Sequence, residues 1–161
     1  MVPDSDEYYM ELALAQARCA EDLDEIPVGC VIVDPQGRIV SSGCNQTITA
    51  HDPTAHAEIV ALRRAGLALD NYRLVGLTMY VTLEPCCMCA GALIHSRIHR
   101  LVYGADDPKT GACSSVFDVL KNPRHNHIIE VRGGVLACQC ANVLSAFFRR
   151  RRVEQKNSRK N

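Results

Sequence analysis

The sequence contains no tryptophan, and only 5% of its 161 residues are aromatic. The core must therefore consist mainly of alanine, valine, leucine and isoleucine. The apolar stretches are no longer than a β-strand, whereas a membrane-spanning helix needs about 20 consecutive apolar residues. The acidic N-terminus, residues 1–7, lacks the basic start and the apolar run of a secretory signal peptide. We therefore predict a cytoplasmic protein without a membrane segment.

A disulfide framework is not expected either, although cysteine is abundant. The nine cysteines are an odd number, and no secretory signal accompanies them. Three of them, Cys86, Cys87 and Cys89, fall within four positions. A reducing compartment and a metal site explain this distribution better than disulfide bonds do. With 47% apolar residues, the chain can build one compact domain without such cross-links.

The chain has no net charge, but its two signs are unevenly distributed. Residues 149–161 contain seven basic side chains and one acid, which gives this end a charge of +6. The preceding residues carry 17 acids and 11 bases and hence −6. A basic end on an acidic body indicates a polyanionic partner. The alternative is a solvated, frayed terminus with no binding role.

Hydrophobic patterning predicts helices and strands that alternate along most of the chain. Helices are expected at residues 5–21, 53–64, 86–95, near 116–120, and from about 137 into the arginine run. Strands are expected at residues 28–33, 38–43, 77–83, 98–103 and 128–132. Ser5 is the expected N-cap of the first helix, and Gly66 the expected end of the second. This order predicts an α/β fold in which helices flank a central mixed five-stranded sheet.

Two short segments carry metal-binding chemistry. They are His56-Ala57-Glu58 and Pro85-Cys86-Cys87-Met88-Cys89, separated by 26 residues. A Cys-x-x-Cys at a helix start places both sulfurs on one side of the first turn, where the helix dipole stabilises thiolates. With one histidine they form a three-ligand zinc site, whose open fourth position is typical of catalytic zinc. Water at that position can reach a pKa of about 7.

Glu58 is expected to lie beside the metal and not on it. Residues i and i+2 of a helix do not face each other, so His56 and Glu58 cannot easily bind one ion. A carboxylate next to the metal can accept a proton from the bound water and pass it on. The segment around Glu58 thus predicts a general acid–base catalyst.

The cysteine pair alone has other interpretations. It fits a redox pair, or half of a structural zinc site whose fourth ligand is another cysteine of the chain. The candidates for that ligand are Cys87, Cys113, Cys138 and Cys140. The His-Ala-Glu segment favours catalytic zinc, and the combination is the signature of zinc-dependent nucleobase deaminases.

The chain resembles the bacterial tRNA-specific adenosine deaminase family nearly from end to end. The residues that carry the resemblance are Pro27-Val28-Gly29-Cys30, Asn45, the segments 51–58, 80–86 and 104–111, and Phe147-Phe148-Arg149-Arg150. The resemblance implies a three-layer α/β/α deaminase fold, with a zinc-dependent deaminase domain at residues 1–152 and a basic tail at 153–161. It also implies a homodimer with one Zn²⁺ per subunit. The implied reaction converts adenosine to inosine at the wobble position (34) of the tRNA anticodon.

Carried over residue by residue, the resemblance assigns the site. His56, Cys86 and Cys89 correspond to the zinc ligands, and Glu58 corresponds to the catalytic proton carrier. The positions implied to bind substrate are Asn45, Val28, Asp107, His51 and Ala57.

Four of these positions keep a second interpretation. Asn45 is implied to hydrogen-bond the flipped base, and is otherwise a loop residue after a hairpin. Val28 is an apolar wall of the base pocket or a core residue of its strand. Asp107 lies near the nucleotide sugar or serves the turn before Pro108. His51 lines the groove for the anticodon or caps the following helix.

The arginine run at 149–152 is expected to meet the tRNA anticodon stem-loop. Four consecutive arginines cannot all face one side of a helix, and Arg149, Arg150 and Arg152 are the predicted phosphate contacts. Two rival functions remain on the sequence. The first is a free nucleoside or base deaminase acting on cytidine or guanine, against which the basic C-terminal helix speaks. The second is a non-catalytic zinc-containing RNA-binding module, which would have no need of Glu58.

Overall fold

The computed structural model describes residues 4–160 and has at its centre a five-stranded sheet of order β2-β1-β3-β4-β5. The elements are α1 (Asp6–Asp22), β1 (Gly29–Val33), β2 (Ile39–Cys44), α2 (Ala57–Leu69), β3 (Thr78–Leu83), α3 (Cys87–His95), β4 (Arg100–Ala105), β5 (Glu130–Arg132) and α4 (Ala137–Ser158). β1 pairs antiparallel with β2 and β3, whereas β3, β4 and β5 are parallel. The predicted mixed sheet is therefore confirmed.

The helices cover both faces of this sheet. Along β1, Cys30 and Ile32 point into a core cluster shared with α2 and α3. Their neighbours Val31 and Val33 point into a second cluster shared with α1 and α4. The alternation follows from the two-residue period of a strand, and a strand buried on both faces is apolar at every position. The three-layer α/β/α arrangement predicted from the sequence is present.

Local sequence explains where two of the helices begin. The hydroxyl of Ser5 accepts a hydrogen bond from the backbone N–H of Tyr8 at 3.1 Å and so caps α1, as predicted. α2 begins at Ala57 and not at Pro53, because Asp52 Oδ1 accepts from Thr54 N at 2.8 Å and holds the preceding residues in a turn. The predicted start of this helix is wrong by one turn.

Two further details of the predicted secondary structure are wrong. α2 does not stop at Gly66 but continues to Leu69, where Asp70 adopts a left-handed conformation with φ of 50° and ends the helix. The segment near 116–120 is not a helix. It contains Asp118, which forms an isolated β-bridge with Cys113, and it belongs to a loop region rich in turn-forming residues. The last helix does run through the arginines, and it extends to Ser158.

All nine cysteines are free thiols, and the sequence predicts no disulfide framework. Cys19, Cys87 and Cys138 are exposed on three different helices. No helix within residues 4–160 combines the length and apolarity that membrane crossing requires.

Four strands contribute to one edge of the sheet. Val28 precedes β1, Asn45 follows β2, Glu84 follows β3 and Asp106 follows β4. Because β1 and β2 are antiparallel, the start of β1 lies beside the end of β2, and the parallel strands β3 and β4 end on the same side. In α/β sheets, ligands bind outside the carboxyl ends of the strands. The predicted site residues lie along this edge.

Candidate active site

The fold brings His56, Cys86 and Cys89 together. The Nδ1 atom of His56 lies 3.6 Å from each of the two sulfurs, and the three ligand atoms all lie within 4.8 Å of one another. Among residues 4–160, this is the group of histidine, cysteine and acidic side chains that can hold a metal ion. None of the four candidates for the fourth ligand of a structural zinc site joins it, namely Cys87, Cys113, Cys138 and Cys140.

The spacing of the three atoms fits tetrahedral zinc. Bonds of about 2.0–2.1 Å to nitrogen and about 2.3 Å to sulfur, at tetrahedral angles, place nitrogen and sulfur roughly 3.6 Å apart. Both nitrogen–sulfur distances here are 3.6 Å. The donor set also fits, because two thiolates and a neutral imidazole balance the charge of Zn²⁺ and leave one coordination position free.

Both fragments sit at helix N-termini. His56 is the N-cap residue of α2, Cys86 is the N-cap residue of α3, and neither side chain caps its own helix. Their side chains therefore remain free to turn toward each other. The positive ends of two helix dipoles meet at this point and favour anionic sulfur. The geometry explains why Cys-x-x-Cys must stand at a helix start.

Each side chain of the group shifts the ionisation of the next. A hydrogen bond from Cys89 lowers the pKa of Cys86 to about 4 against the opposing effect of burial, and the nearby His56 adds to this lowering. The pKa of the Cys89 thiol is raised well above its usual range by its hydrogen bond with Cys86 and by burial. The hydrogen bond with Cys86 also raises the pKa of His56. Two adjacent sulfurs ionise together only beside a cation, which the metal would supply.

Glu58 lies in the first turn of α2 beside this group and is only 4% exposed. Its carboxyl group lies close enough to the Cys89 thiol for each of the two groups to perturb the pKa of the other. Burial raises the pKa of Glu58 to about 7, with His56 acting in the opposite direction. A carboxyl group with such a pKa gains and loses a proton readily at neutral pH, as a general acid–base catalyst must.

Asn45, Ala57 and Val28 are brought together next to Glu58. Asn45 is 8% exposed, and its Oδ1 accepts a hydrogen bond from the backbone N–H of Ala57 at 2.9 Å. The backbone N–H of Asn45 donates to the carbonyl of Val28 at 3.2 Å. Val28 is 4% exposed and belongs to the core cluster under α2 and α3. The fold therefore holds Asn45 against Ala57, the residue between His56 and Glu58.

Asp107 and His51 occupy loops at the same edge. The Asp107 carboxylate accepts from the backbone N–H groups of Lys109 and Thr110, at 3.0 and 3.2 Å, and from the Thr110 hydroxyl at 2.9 Å. The Asp107 carboxylate therefore stabilises the turn around Pro108, which is the second interpretation of this residue. His51 is exposed in a left-handed conformation, and His56 is the N-cap residue of α2, so His51 does not cap that helix.

The arginine run divides into two kinds of side chain. Arg150 lies 3.8–3.9 Å from Glu21, Asp24 and Glu154. Arg151 donates to the backbone carbonyl of Asp24 at 2.8 Å and lies over the Phe147 ring.

Arg149 and Arg152 are exposed, and neither forms an ion pair within the described part of the chain. Two of the four arginines therefore fasten α4 to the end of α1, while the other two face solvent.

Two buried carboxylates, Glu25 and Glu84, have no role in the sequence-based expectations. Glu25 is 0% exposed and accepts from the backbone N–H groups of Ile48 and Thr49 at 2.9 and 2.7 Å. Glu84 is 2% exposed and accepts from the loop that contains Asp107. For Glu84, the signal that the sequence offers is its position directly after an apolar strand and before Pro85.

Similarity to known proteins defines the class of this site. A sequence model of the cytidine and deoxycytidylate deaminase zinc-binding region matches residues 3–105. The chain is 54% identical over 151 residues to the tRNA-specific adenosine deaminase of Haemophilus influenzae, covering 94% of this chain and 87% of that protein. The chain belongs to the cytidine and deoxycytidylate deaminase family and, within it, groups with the tRNA-specific adenosine deaminases.

Solved structures support the same placement. A structure from a study of A-to-I editing by tRNA:A34 deaminases at the wobble position has a TM-score of 0.81 and 45% identity, covering 85% of this chain and 99% of that chain. A guanine deaminase from Nitrosomonas europaea has a TM-score of 0.76 and 25% identity, covering 91% and 86%. The fold is therefore shared by deaminases with different substrates, while identity is higher to the tRNA group.

Proposed function

We propose that this chain hydrolyses adenosine to inosine at the wobble position of a tRNA anticodon, releasing ammonia. The observation that carries the proposal is the buried carboxyl group of Glu58 beside the His56, Cys86 and Cys89 group, close enough for these residues to shift its pKa. Metal ligands alone would serve a structural site, whereas an adjacent proton carrier serves hydrolysis. The identity to tRNA-specific adenosine deaminases supports the choice of substrate.

The three ligands would hold zinc, which when bound activates water for attack at neutral pH. Glu58 accepts the proton of that water, delivers it to N1 of the adenine ring and carries a second proton to the amino group leaving C6. The fold holds Asn45 in place through Ala57, so that its amide can hydrogen-bond the flipped base. Val28 closes the apolar side of the pocket. The water supplies the oxygen of inosine, and the amino group leaves as ammonia.

The anticodon stem-loop is the proposed partner. An unpaired loop base can enter a buried pocket at a low cost in unstacking and unpairing energy. Asp107 lies on the loop at the mouth of the site, where a flanking sugar would pass. His51 is exposed in the loop that follows Asn45. Arg149 and Arg152 supply positive charge for phosphates, whereas the predicted contact Arg150 is paired with acidic side chains of this chain. We expect such an enzyme to act in the cytoplasm.

A homodimer is proposed as well, with one zinc ion per subunit. A groove of about 970 Å³ lies between α2 and α3 and is lined by Leu62, Leu67, Tyr72 and Ala92 among others. Leu67 is 85% exposed and Tyr72 72% exposed. Large exposed apolar side chains around a groove are typical of a protein interface. Light scattering of the zinc-loaded protein tests this, and Leu67→Glu should shift a dimer toward monomer.

The guanine deaminase likeness keeps one alternative substrate open, and a single assay separates the two. The zinc-loaded protein is incubated with an anticodon stem-loop containing adenosine at position 34, with adenosine, with cytidine and with guanine. Ammonia is then measured together with inosine in the recovered RNA. We expect ammonia with the stem-loop alone and inosine at the wobble position. Ammonia from guanine and none from RNA would contradict the proposal.

A further inference from the structure

The carboxylate of Glu84 is the meeting point of a loop that has no regular secondary structure. Its Oε1 accepts from the backbone N–H groups of Cys113, Ser114 and Ser115 at 3.0, 2.9 and 3.0 Å. Its Oε2 accepts from the backbone N–H of Asp107 at 2.9 Å and from the Ser115 hydroxyl. Every donor comes from the segment that follows β4, and none of them is a cation.

The bonds reach the segment at two places and close it into a loop. Asp107 is held at the beginning, and residues 113–115 are held at the end. Between them, the backbone N–H of Gly111 donates to the Asp107 carbonyl at 3.0 Å, and that of Ala112 donates to the Pro85 carbonyl at 2.8 Å. The loop is thus fastened both to the end of β3 and to the residue before the metal ligand Cys86.

Gly111 shows how closely the loop follows the carboxylate. A Cβ atom at this position would overlap Oε2 of Glu84 and the carbonyl oxygen of Asp107. The space that a side chain would need is filled by the carboxylate itself. The glycine that ends the Asp-Pro-Lys-Thr-Gly segment is therefore required by Glu84, and the two residues form one structural unit.

Burial gives this unit its importance. Glu84 is 2% exposed, Ala112 is 0% exposed and Cys113 is 2% exposed, so this part of the loop lies in the core. Lys109, Thr110, Ser114 and Ser115 are exposed on either side of it. A buried carboxylate without these donors would carry a large desolvation cost. The charge of Glu84 and the path of the loop therefore stabilise each other.

We propose that Glu84 is a positioning residue for substrate, which fixes the Asp107 loop at a set distance from the metal ligands that follow Pro85. The inference rests on the proposed function, since that function makes Asp107 face the nucleotide. Glu84 does not touch the substrate, and its role is to keep one wall of the binding site in the conformation that receives RNA. Displacement of this wall weakens substrate binding more than it slows the chemical step at Glu58.

The main test is Glu84→Gln in the zinc-loaded full chain. The amide keeps the size of the side chain but replaces one acceptor oxygen by a donor, so some of the five donors lose their acceptor. We expect KM for an anticodon stem-loop to rise by about tenfold, with kcat reduced much less. Zinc content should stay at one ion per chain. Backbone hydrogen exchange of Asp107 and residues 113–115 should become faster.

Two further variants keep the test decisive if Glu84→Gln folds poorly. Gly111→Ala displaces the carboxylate without removing its charge, and it should reproduce the rise in KM. Ser115→Ala removes a single hydroxyl donor and should give a smaller rise. Glu25→Gln is the matched control, because it weakens another buried carboxylate that holds residues 47–49. In the Glu25→Gln variant, backbone hydrogen exchange should become faster at residues 47–49 and not at residues 107–115.

Unchanged KM and unchanged exchange at 107–115 in the Glu84 and Gly111 variants would overturn the inference. A fall of kcat at constant KM in these variants would also overturn the inference, because it would indicate a general loss of active protein. If the unaltered chain does not deaminate the stem-loop, the proposed function fails. The exchange measurement still decides in that case whether Glu84 fixes the loop.

Discussion

The side-chain oxygen of Asn45 caps helix α2 by accepting the backbone N–H of Ala57 at 2.9 Å. The helix receives no cap from its own N-cap residue, His56. A residue at the end of β2 therefore satisfies the helix end that carries both a metal ligand and Glu58. This one contact ties Asn45 to the helix that carries Glu58, so the residue has a structural role in addition to the base contact proposed for it.

Substitutions of Asn45 should separate these two roles. Asn45→Asp keeps the acceptor for the cap but loses the amide donor, so we expect wild-type stability and at least about a tenfold lower kcat/KM on RNA. Asn45→Ala loses both and should also destabilise the protein by about 1 kcal/mol. Denaturant unfolding and inosine formation are measured on the same preparations. Full activity of the aspartate variant would contradict a role of the amide in base recognition.

Replacement of Glu58 should abolish turnover without removing zinc. Glu58→Gln preserves the size of this buried side chain and removes its ability to carry protons. We expect kcat to fall by about 10²–10⁴-fold, the usual contribution of general acid–base catalysis. Zinc content is determined by elemental analysis and inosine by chromatography. A zinc-loaded variant with near-normal turnover would show that another group moves the protons.

The neighbouring cysteines Cys86 and Cys87 offer a matched pair for testing the metal centre. Cys86 lies 3.6 Å from His56 Nδ1, whereas Cys87 is exposed and points elsewhere. Cys86→Ser should lose zinc and activity, because the site retains only two good ligands. Cys87→Ser should keep both. Removal of zinc by a chelator should stop turnover reversibly, and retention of zinc by the Cys86 variant would disprove the ligand set.

Asp6 should make stability depend on pH in the acid range. Hydrogen bonds from Arg100, against the opposing effect of burial, and further bonds from Tyr80 and Arg132 lower the pKa of Asp6 to about 2, from 3.8. The ionised form is thus favoured in the folded state. Its contribution is fully present above pH 3.8 and is lost as the pH falls toward 2.

Asp6→Asn should therefore lower the free energy of unfolding at neutral pH by about 2 kcal/mol, with the difference vanishing near the acid end. Glu7→Gln is the control, since Glu7 is 45% exposed and its contact with Arg132 is 3.7 Å long. We expect a change below about 0.5 kcal/mol for this exposed pair. Urea unfolding at a series of pH values gives both results. A difference for Asp6→Asn that does not change with pH would contradict the ion pair.

The arginine run should contribute unequally to RNA binding. Arg149 and Arg152 face solvent, whereas Arg151 is committed to Asp24 and Phe147. Replacing Arg149 and Arg152 by glutamine should weaken RNA binding and reduce the slope of log affinity against log salt by about 2. Arg151→Gln should alter the slope less and destabilise the docking of α4. If every variant kept the salt slope of the unaltered chain, phosphate contacts of Arg149 and Arg152 would be excluded.

Most of the fold could be predicted because its signals are local. The strands are short apolar runs and the capping serine stands next to its helix, so composition within a few residues is sufficient. The predicted start of the second helix is too early because Pro53 is compatible with a first helical turn. Asp52 competes for the same backbone groups and holds a turn there. Its predicted end was wrong because packing overrides the weak helix propensity of Gly66.

The zinc ligands could be predicted because their spacing is itself the signal. The cap that Asn45 provides for α2 and the loop contacts of Glu84 could not be predicted, since their partners are far away in sequence. Asn45 contacts Ala57 across 12 residues, and Glu84 contacts Asp107 across 23 residues. Such contacts depend on which strands become neighbours in the sheet, and a local pattern does not contain that information.

The three exposed cysteines give this protein a ready set of attachment points. Cys19 lies on α1, Cys87 on α3 and Cys138 on α4, so they mark both helical layers. In the zinc-loaded protein, maleimide reagents should modify these sulfurs first, because the metal would hold the half-buried Cys86 thiolate and the other cysteines are buried. With the other two replaced by serine, each position would carry a single fluorophore. Energy transfer between a labelled Cys138 and a labelled RNA would then report how the RNA lies along α4.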